Sequence, residues 1–141
     1  MTDKFHEEMA EMQRRVLAMG FFAEGMLRDA VEALRTQDVA LAGDVKGRKG
    51  ALSSQNDALE EEVYRMIALY QPVARDMRAV ACALKVIASA ERIGRYGKDI
   101  ANVVIATTDA RANDLATGLS IPHMAGRVIS MVDDSLRAYE T

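Results

Sequence analysis

Gln71-Pro-Val-Ala-Arg-Asp-Met-Arg78, answered by Glu91-Arg-Ile-Gly-Arg-Tyr-Gly-Lys-Asp-Ile-Ala101, is the stretch on which the fold turns. Pro72 closes whatever helix precedes it, because a proline pushes the residue before it out of the α region. Beyond it, Val73, Met77, Val80, Leu84 and Ile87 form one apolar row. Ala79, Ala83, Val86, Ala90, Ile93, Gly97, Ile100 and Val104 form a second, offset row. Both rows have helical spacing, and between Ala79 and Ala90 the only charge is Lys85, whose stem can lie on apolar surface while its amine reaches water. A helix apolar on more than one face has neighbours on more than one side. Residues 73 to 108 are therefore expected to be the central rod of the fold.

Working outward, Phe5, Met9, Met12, Val16, Met19, Ala23, Met26, Ala30 and Ala33 alternate steps of four and three, which predicts a first helix of about thirty residues, roughly 45 Å long. Gly20 and Gly25 each cost such a helix about 1 kcal/mol against Ala, so either tertiary packing offsets that cost or Gly20 lets a neighbouring helix approach closely. Asp38 is placed to cap a second helix running to Tyr70, with Val45, Leu52, Leu59 and Met66 spaced by seven. Gly43, Gly47, Gly50, Ser53 and Ser54 make residues 43 to 54 its weakest part. Residues 109 to 120 lose the periodicity and read as a linker. Ile121, Ala125, Val128, Val132 and Tyr139 then resume a helical rhythm, Ser135 filling the remaining slot. Met131-Val-Asp-Asp-Ser-Leu-Arg137 lies over Phe22-Ala-Glu-Gly-Met-Leu-Arg28 at an offset of 109. The expected architecture is all-α, an up-down bundle of long antiparallel helices. Its tail is expected to fold back as a fourth helix or to pair with a second copy as a homodimer.

Composition narrows the classes. The chain has 141 residues, 50% of them hydrophobic but only 5% aromatic, with no Trp and nine Met, a mixture that suits helices better than strands. A net charge of −3 argues against a nucleic-acid binder. The N-terminus has no secretory pattern and no segment approaches the roughly 20 apolar residues of a membrane span, so a cytoplasmic protein without membrane insertion is expected. Cys82, the single cysteine, sits in an apolar run and reads as a small core residue.

Enzyme readings find no support. Neither His6 nor His123 follows a Glu by three positions, as a di-iron bundle requires, and each reads as an exposed helix-terminal residue. Neither a phosphate-binding Gly-rich loop nor a nucleophile elbow is present. Lys46, Arg48 and Lys49, like the acidic run Asp57, Glu60, Glu61 and Glu62, read first as solvated faces, with Glu61 and Arg65 in helix-pair spacing.

The Gln-Pro-Val-Ala-x-Asp-x-Arg start at residues 71–78 and the Glu91-Arg-Ile-Gly element about twenty residues later resemble the PhoU family of phosphate-uptake regulators. The resemblance implies a three-helix repeat over residues 1–108, the 109–120 linker, and the first helix of a second, incomplete repeat at 121–141. It implies a regulator of phosphate uptake and signalling. Such a protein touches a phosphate ABC transporter ATPase and sensor kinase components, with Asp76 and Arg78 as candidate partner-binding residues. The family carries metal-binding carboxylates on this face of the third helix, a role that passes to Glu91 and, in a shifted site, Asp99. Arg95 stands where the second carboxylate would be, and its fixed positive charge opposes a cation. The residues alone favour an ion-pair ladder in which Arg95 bridges Glu91 and Asp99. The alternatives are a helical bundle that binds a divalent or transition metal, or a purely structural helical module.

Overall fold

The seam from Phe5 to Ala33 becomes the axis of the molecule, and every residue of it is buried. In a computed structural model that describes residues 2–107 and 121–141, this seam lies on α1 (Thr2–Thr36). The chain returns through α2 (Val39–Gly47) and α3 (Lys49–Tyr70), runs out again along α4 (Ala74–Ala106), and ends in α5 (Ile121–Glu140). Among the described residues all regular structure is helical, and none of these helices is long and apolar enough to cross a membrane. The expected linker at 109–120 lies outside the described residues.

Consecutive rods are antiparallel, so α1 and α4 run the same way. His6 near the start of α1 meets Asp76 near the start of α4, with Nε2 3.2 Å from Oδ1, while further along Gly97 lies against Met26 and Leu27. A Cβ built at Gly97 would stand 3.0 Å from the Leu27 backbone nitrogen and 3.1 Å from the Met26 carbonyl oxygen. Only a residue without a side chain lets the two backbones approach so closely. As expected for a central rod, α4 packs on α1, α2 and α3. Its burial is nevertheless concentrated on one side: Val80, Ala83, Ile87, Ala90, Gly94, Gly97, Ala101 and Val104 are buried. Val86, Ile93 and Ile100 are half-buried, Cys82 is exposed, and Val73 is 75% exposed. The expectation that Cys82 is a core residue is thus corrected, because no helix among the described residues covers the flank of α4 that carries it.

The returning rod is not continuous. Asp38 caps α2 as expected, its Oδ1 accepting the Leu41 N–H at 3.0 Å. At Arg48 the helix tightens: its N–H reaches the Val45 carbonyl at 3.0 Å, three residues back, and α3 starts anew at Lys49. Three glycines within eight residues supply the pliancy, and tertiary contact fixes the place, since Arg48 bonds Asp29 of α1 at 2.7 Å and also pairs with Asp44. Arg48 is therefore an interhelical tie and not part of a solvated basic face, and Lys49 donates to Ser53 Oγ at 2.6 Å. Val45, Leu52, Leu59 and Met66 keep their predicted inward face across the interruption.

Arg65 of α3 pairs with Glu62 at 2.6 Å and with Glu8 of α1 at 2.9 Å; the Glu61 pairing expected from spacing is replaced by this cross-helix arrangement. The Arg65 guanidinium holds the Glu62 carboxyl below its ordinary 4.5. A carboxylate whose folded value is lowered stabilises the fold fully above the unfolded value and loses that contribution as pH falls through the lowered one. Stability is expected to decline on the acid side of pH 4.5, and Arg65→Met to flatten that decline; denaturant midpoints measured as a function of pH check it.

The tail folds back antiparallel onto α1. Leu136 is its one buried residue among those described, and it seats on Gly20, where an added Cβ would fall 2.4 Å from Leu136 Cδ2. Of the two alternatives at Gly20, the close approach of a neighbouring helix is the one the structure shows. The row expected to carry the packing does so only in part: Val128 is 42% exposed, Ile121, Ala125 and Val132 are half-buried, and Tyr139, also half-buried, packs against the core. Beside Leu136, buried Glu24 pairs with Arg28 at 2.6 Å, close to Asp133 of α5. Leu136→Ala empties the site of the one buried residue of α5 among those described, at about 2–3 kcal/mol. We expect residues 121–140 to lose hydrogen-exchange protection in this variant while α1, α3 and α4 keep theirs.

Candidate functional site

Two groups of residues stand out on α4, one at its start and one near its far end. At the start, the α3–α4 corner is built from unusual backbone. Gln71 ends α3 in the left-handed region (φ 46°), its N–H reaching the Ile67 carbonyl at 3.0 Å. Val73 is extended, and Ala74 returns to positive φ (48°). A left-handed alanine costs roughly 1 kcal/mol or more, so the surroundings must hold the corner in place. They do so from α1: Phe5 packs edge-on against Tyr70 with ring centroids 5.5 Å apart, and His6 bonds Asp76. His6 is thereby an interhelical partner of a predicted site residue, where the sequence suggested only an exposed helix end. The Asp76 N–H also bonds the Val73 carbonyl at 3.1 Å, closing the first turn of α4.

What this corner presents outward is apolar and basic. Leu69 and Val73 are 58% and 75% exposed, Met77 is exposed beside them, and Arg75 and Arg78 stand in solvent. Neither arginine has an acidic partner among the described residues. Asp76 and Arg78, the predicted pair, thus divide: Asp76 is tied to His6 of α1 at the surface, while Arg78 stands free in solvent among the described residues. Leu69, Val73 and Met77 were not singled out from the sequence as site residues; Val73 and Met77 read there as members of an apolar row.

Near the far end the predicted ladder forms only in part. Arg95 reaches Glu91 at 3.7 Å, but Asp99 turns to Lys98 at 3.8 Å, so Arg95 does not bridge the two acids. Glu91 and Asp99 are eight residues apart, a rise of about 12 Å along the helix, too far for both to reach a cation that takes its oxygen ligands at about 2.0–2.6 Å. With the Arg95 guanidinium beside Glu91, the two carboxylates do not fit one shared ion. No group of three or more His, Cys, Asp or Glu gathers in metal-binding geometry among the described residues.

Fold and site together define an all-helical module with an exposed apolar and basic corner between α3 and α4. The sequence model of the family described as PhoU domain matches residues 16–104. The chain belongs to the PhoU family. It is 33% identical over 141 residues to the phosphate-specific transport system accessory protein PhoU homolog of Clostridium acetobutylicum, covering 99% of this chain and 64% of that protein. A protein of the same description from Caulobacter vibrioides is 34% identical over 137 residues, covering 97% of this chain and 59% of that protein. The crystal structure of PhoU from Pseudomonas aeruginosa superimposes with a TM-score of 0.83 at 28% identity, over 96% of this chain and 65% of that one. The chain thus spans about three fifths of the length of these relatives.

Proposed function

We infer that this chain is an accessory regulator of phosphate uptake that works by protein contact and not by catalysis. Its partners under this reading are the ATPase of a phosphate ABC transporter and the associated sensor kinase, met on the cytoplasmic side. The family and the description of its relatives support the phosphate-transport setting. The observation that carries the contact mode is the α3–α4 corner. Apolar side chains stand in water beside two arginines that have no acidic partner among the described residues, on a backbone whose strain is held from α1 and α3 by Phe5, His6 and Tyr70. A rigid patch loses little conformational freedom on binding, and desolvating apolar groups inside a basic rim supplies affinity together with orientation. Its natural complement is a surface with apolar pockets and carboxylates.

Co-purification tests it. Tagged chain is expected to retain the transporter ATPase or the sensor kinase of its own organism, and Val73→Asp combined with Arg78→Glu to reduce that retention at least about tenfold, since both sit outside the core. Failure of the unaltered chain to hold either component would overturn the reading.

A further inference from the structure

Among the described residues α5 buries only Leu136, so the polar groups beside that leucine bear directly on how firmly the helix is held. They form a charged cluster. The antiparallel crossing that seats Leu136 on Gly20 also brings Asp133 of α5 within hydrogen-bonding reach of Glu24 of α1, a buried acid. Each acid has an arginine one turn along its own helix: Arg28 lies 2.6 Å from Glu24, and Arg137 lies 2.7 Å from Asp133. Glu140 also lies near Arg137. The Arg137 guanidinium foremost, helped by the Glu24 carboxyl and Arg28, holds Asp133 below its ordinary 3.8.

The internal repeat explains why an acid meets an acid. At the offset of 109, Glu24, Leu27 and Arg28 correspond to Asp133, Leu136 and Arg137. Equivalent helices packed antiparallel are related by a local two-fold, and a residue near that axis meets its own counterpart. Here that residue is the carboxylic acid. Two carboxyl groups in such contact are joined when a proton lies between them and repel when both are charged. Arg28 and Arg137 each pair along their own helix, so they offset this charge without tying α5 to α1.

We propose that Glu24 and Asp133 make α5 a releasable latch on α1, its grip set by the balance of charge between the two acids and their arginines: neutralising an acid tightens it, and removing an arginine opens it. The contact lies within one chain and does not depend on the transporter reading. Hydrogen exchange of residues 121–140, compared between the unaltered chain and three variants, tests it. Glu24→Gln keeps the shape and sets an amide N–H donor opposite the Asp133 carboxylate, so protection of α5 is expected to rise about tenfold while that of α1 and α4 holds. Arg28→Met leaves the buried Glu24 charge facing Asp133 without the arginine that offsets it, and protection of α5 is expected to fall about tenfold. In the Glu24→Gln background the same Arg28→Met change is expected to alter it by less than about twofold, because no charge remains there to offset. Unchanged or lower protection in Glu24→Gln overturns the proposal, since α5 would then rest on apolar contact alone or require the Glu24 charge. An Arg28→Met effect of equal size in both backgrounds overturns it as well, since Arg28 would then act through packing.

Discussion

Gly97→Val is expected to cost this fold about 3 kcal/mol, at the upper end of what overpacking a well-filled site costs. The reason is the kind of atom in the way. A side chain on Gly97 meets the Leu27 nitrogen and the Met26 carbonyl carbon, each 3.0 Å from the first added carbon, and α1 backbone cannot rotate aside as a side-chain tip can. The α1–α4 contact is the most extensive among the described helices, so wedging it open at Gly97 also loosens the packing of Met26 and Ala101 on either side. Gly97→Ala is the useful comparison: its gain in helix propensity, about 1 kcal/mol, offsets part of a smaller clash. Denaturant titration of both variants checks the order, and a Gly97→Val protein within 1 kcal/mol of the unaltered chain would contradict the close approach.

Leu52→Ala is expected to cost about 3 kcal/mol, within the range for emptying a leucine site in a core that cannot fully collapse. Leu52 is fully buried and fills the notch left by Gly94, where a built Cβ would lie 2.4 Å from its Cδ2 and 3.3 Å from Met26 Sδ. The same geometry predicts a non-additive pair. Gly94→Ala alone displaces the leucine, whereas in the Leu52→Ala background the added methyl enters vacated space, so the double variant is expected to be more stable than the sum of the two by about 1 kcal/mol. Strict additivity would show that the two residues do not share the site.

Much of this was legible in the residues because burial follows spacing. The α1 stripe, the seven-residue series Val45, Leu52, Leu59 and Met66, and the Asp38 cap depend on local periodicity and local hydrogen bonding. Gly20 gave warning of a close neighbour because a glycine within a long apolar stripe needs a tertiary reason. Cys82 was misread for a complementary reason: a helix apolar all round does not reveal which flank is covered, and that depends on the number of neighbours and not on the helix itself. The break at Arg48 was foreshadowed by its glycines, but its position is set by Asp29, a partner from another helix. The candidate site divides in the same way. Residues 71–78 could be recognised as a corner from Pro72, yet the His6–Asp76 bond joins positions 70 residues apart, and the left-handed Gln71 is not what a residue before proline ordinarily adopts.

The heart of the bundle is rich in thioethers: Met9, Met12, Met19, Met26 and Met66 are all at most 5% exposed. Oxidation turns such a side chain into a polar sulfoxide that a packed interior cannot house, yet a dissolved peroxide reaches these sulfurs only when the rods part. Met77, Met124 and Met131 meet the same oxidant at the surface. The molecule thus carries an internal clock of its own opening: outer methionines react at the pace of the reagent, inner ones at the pace of the fold.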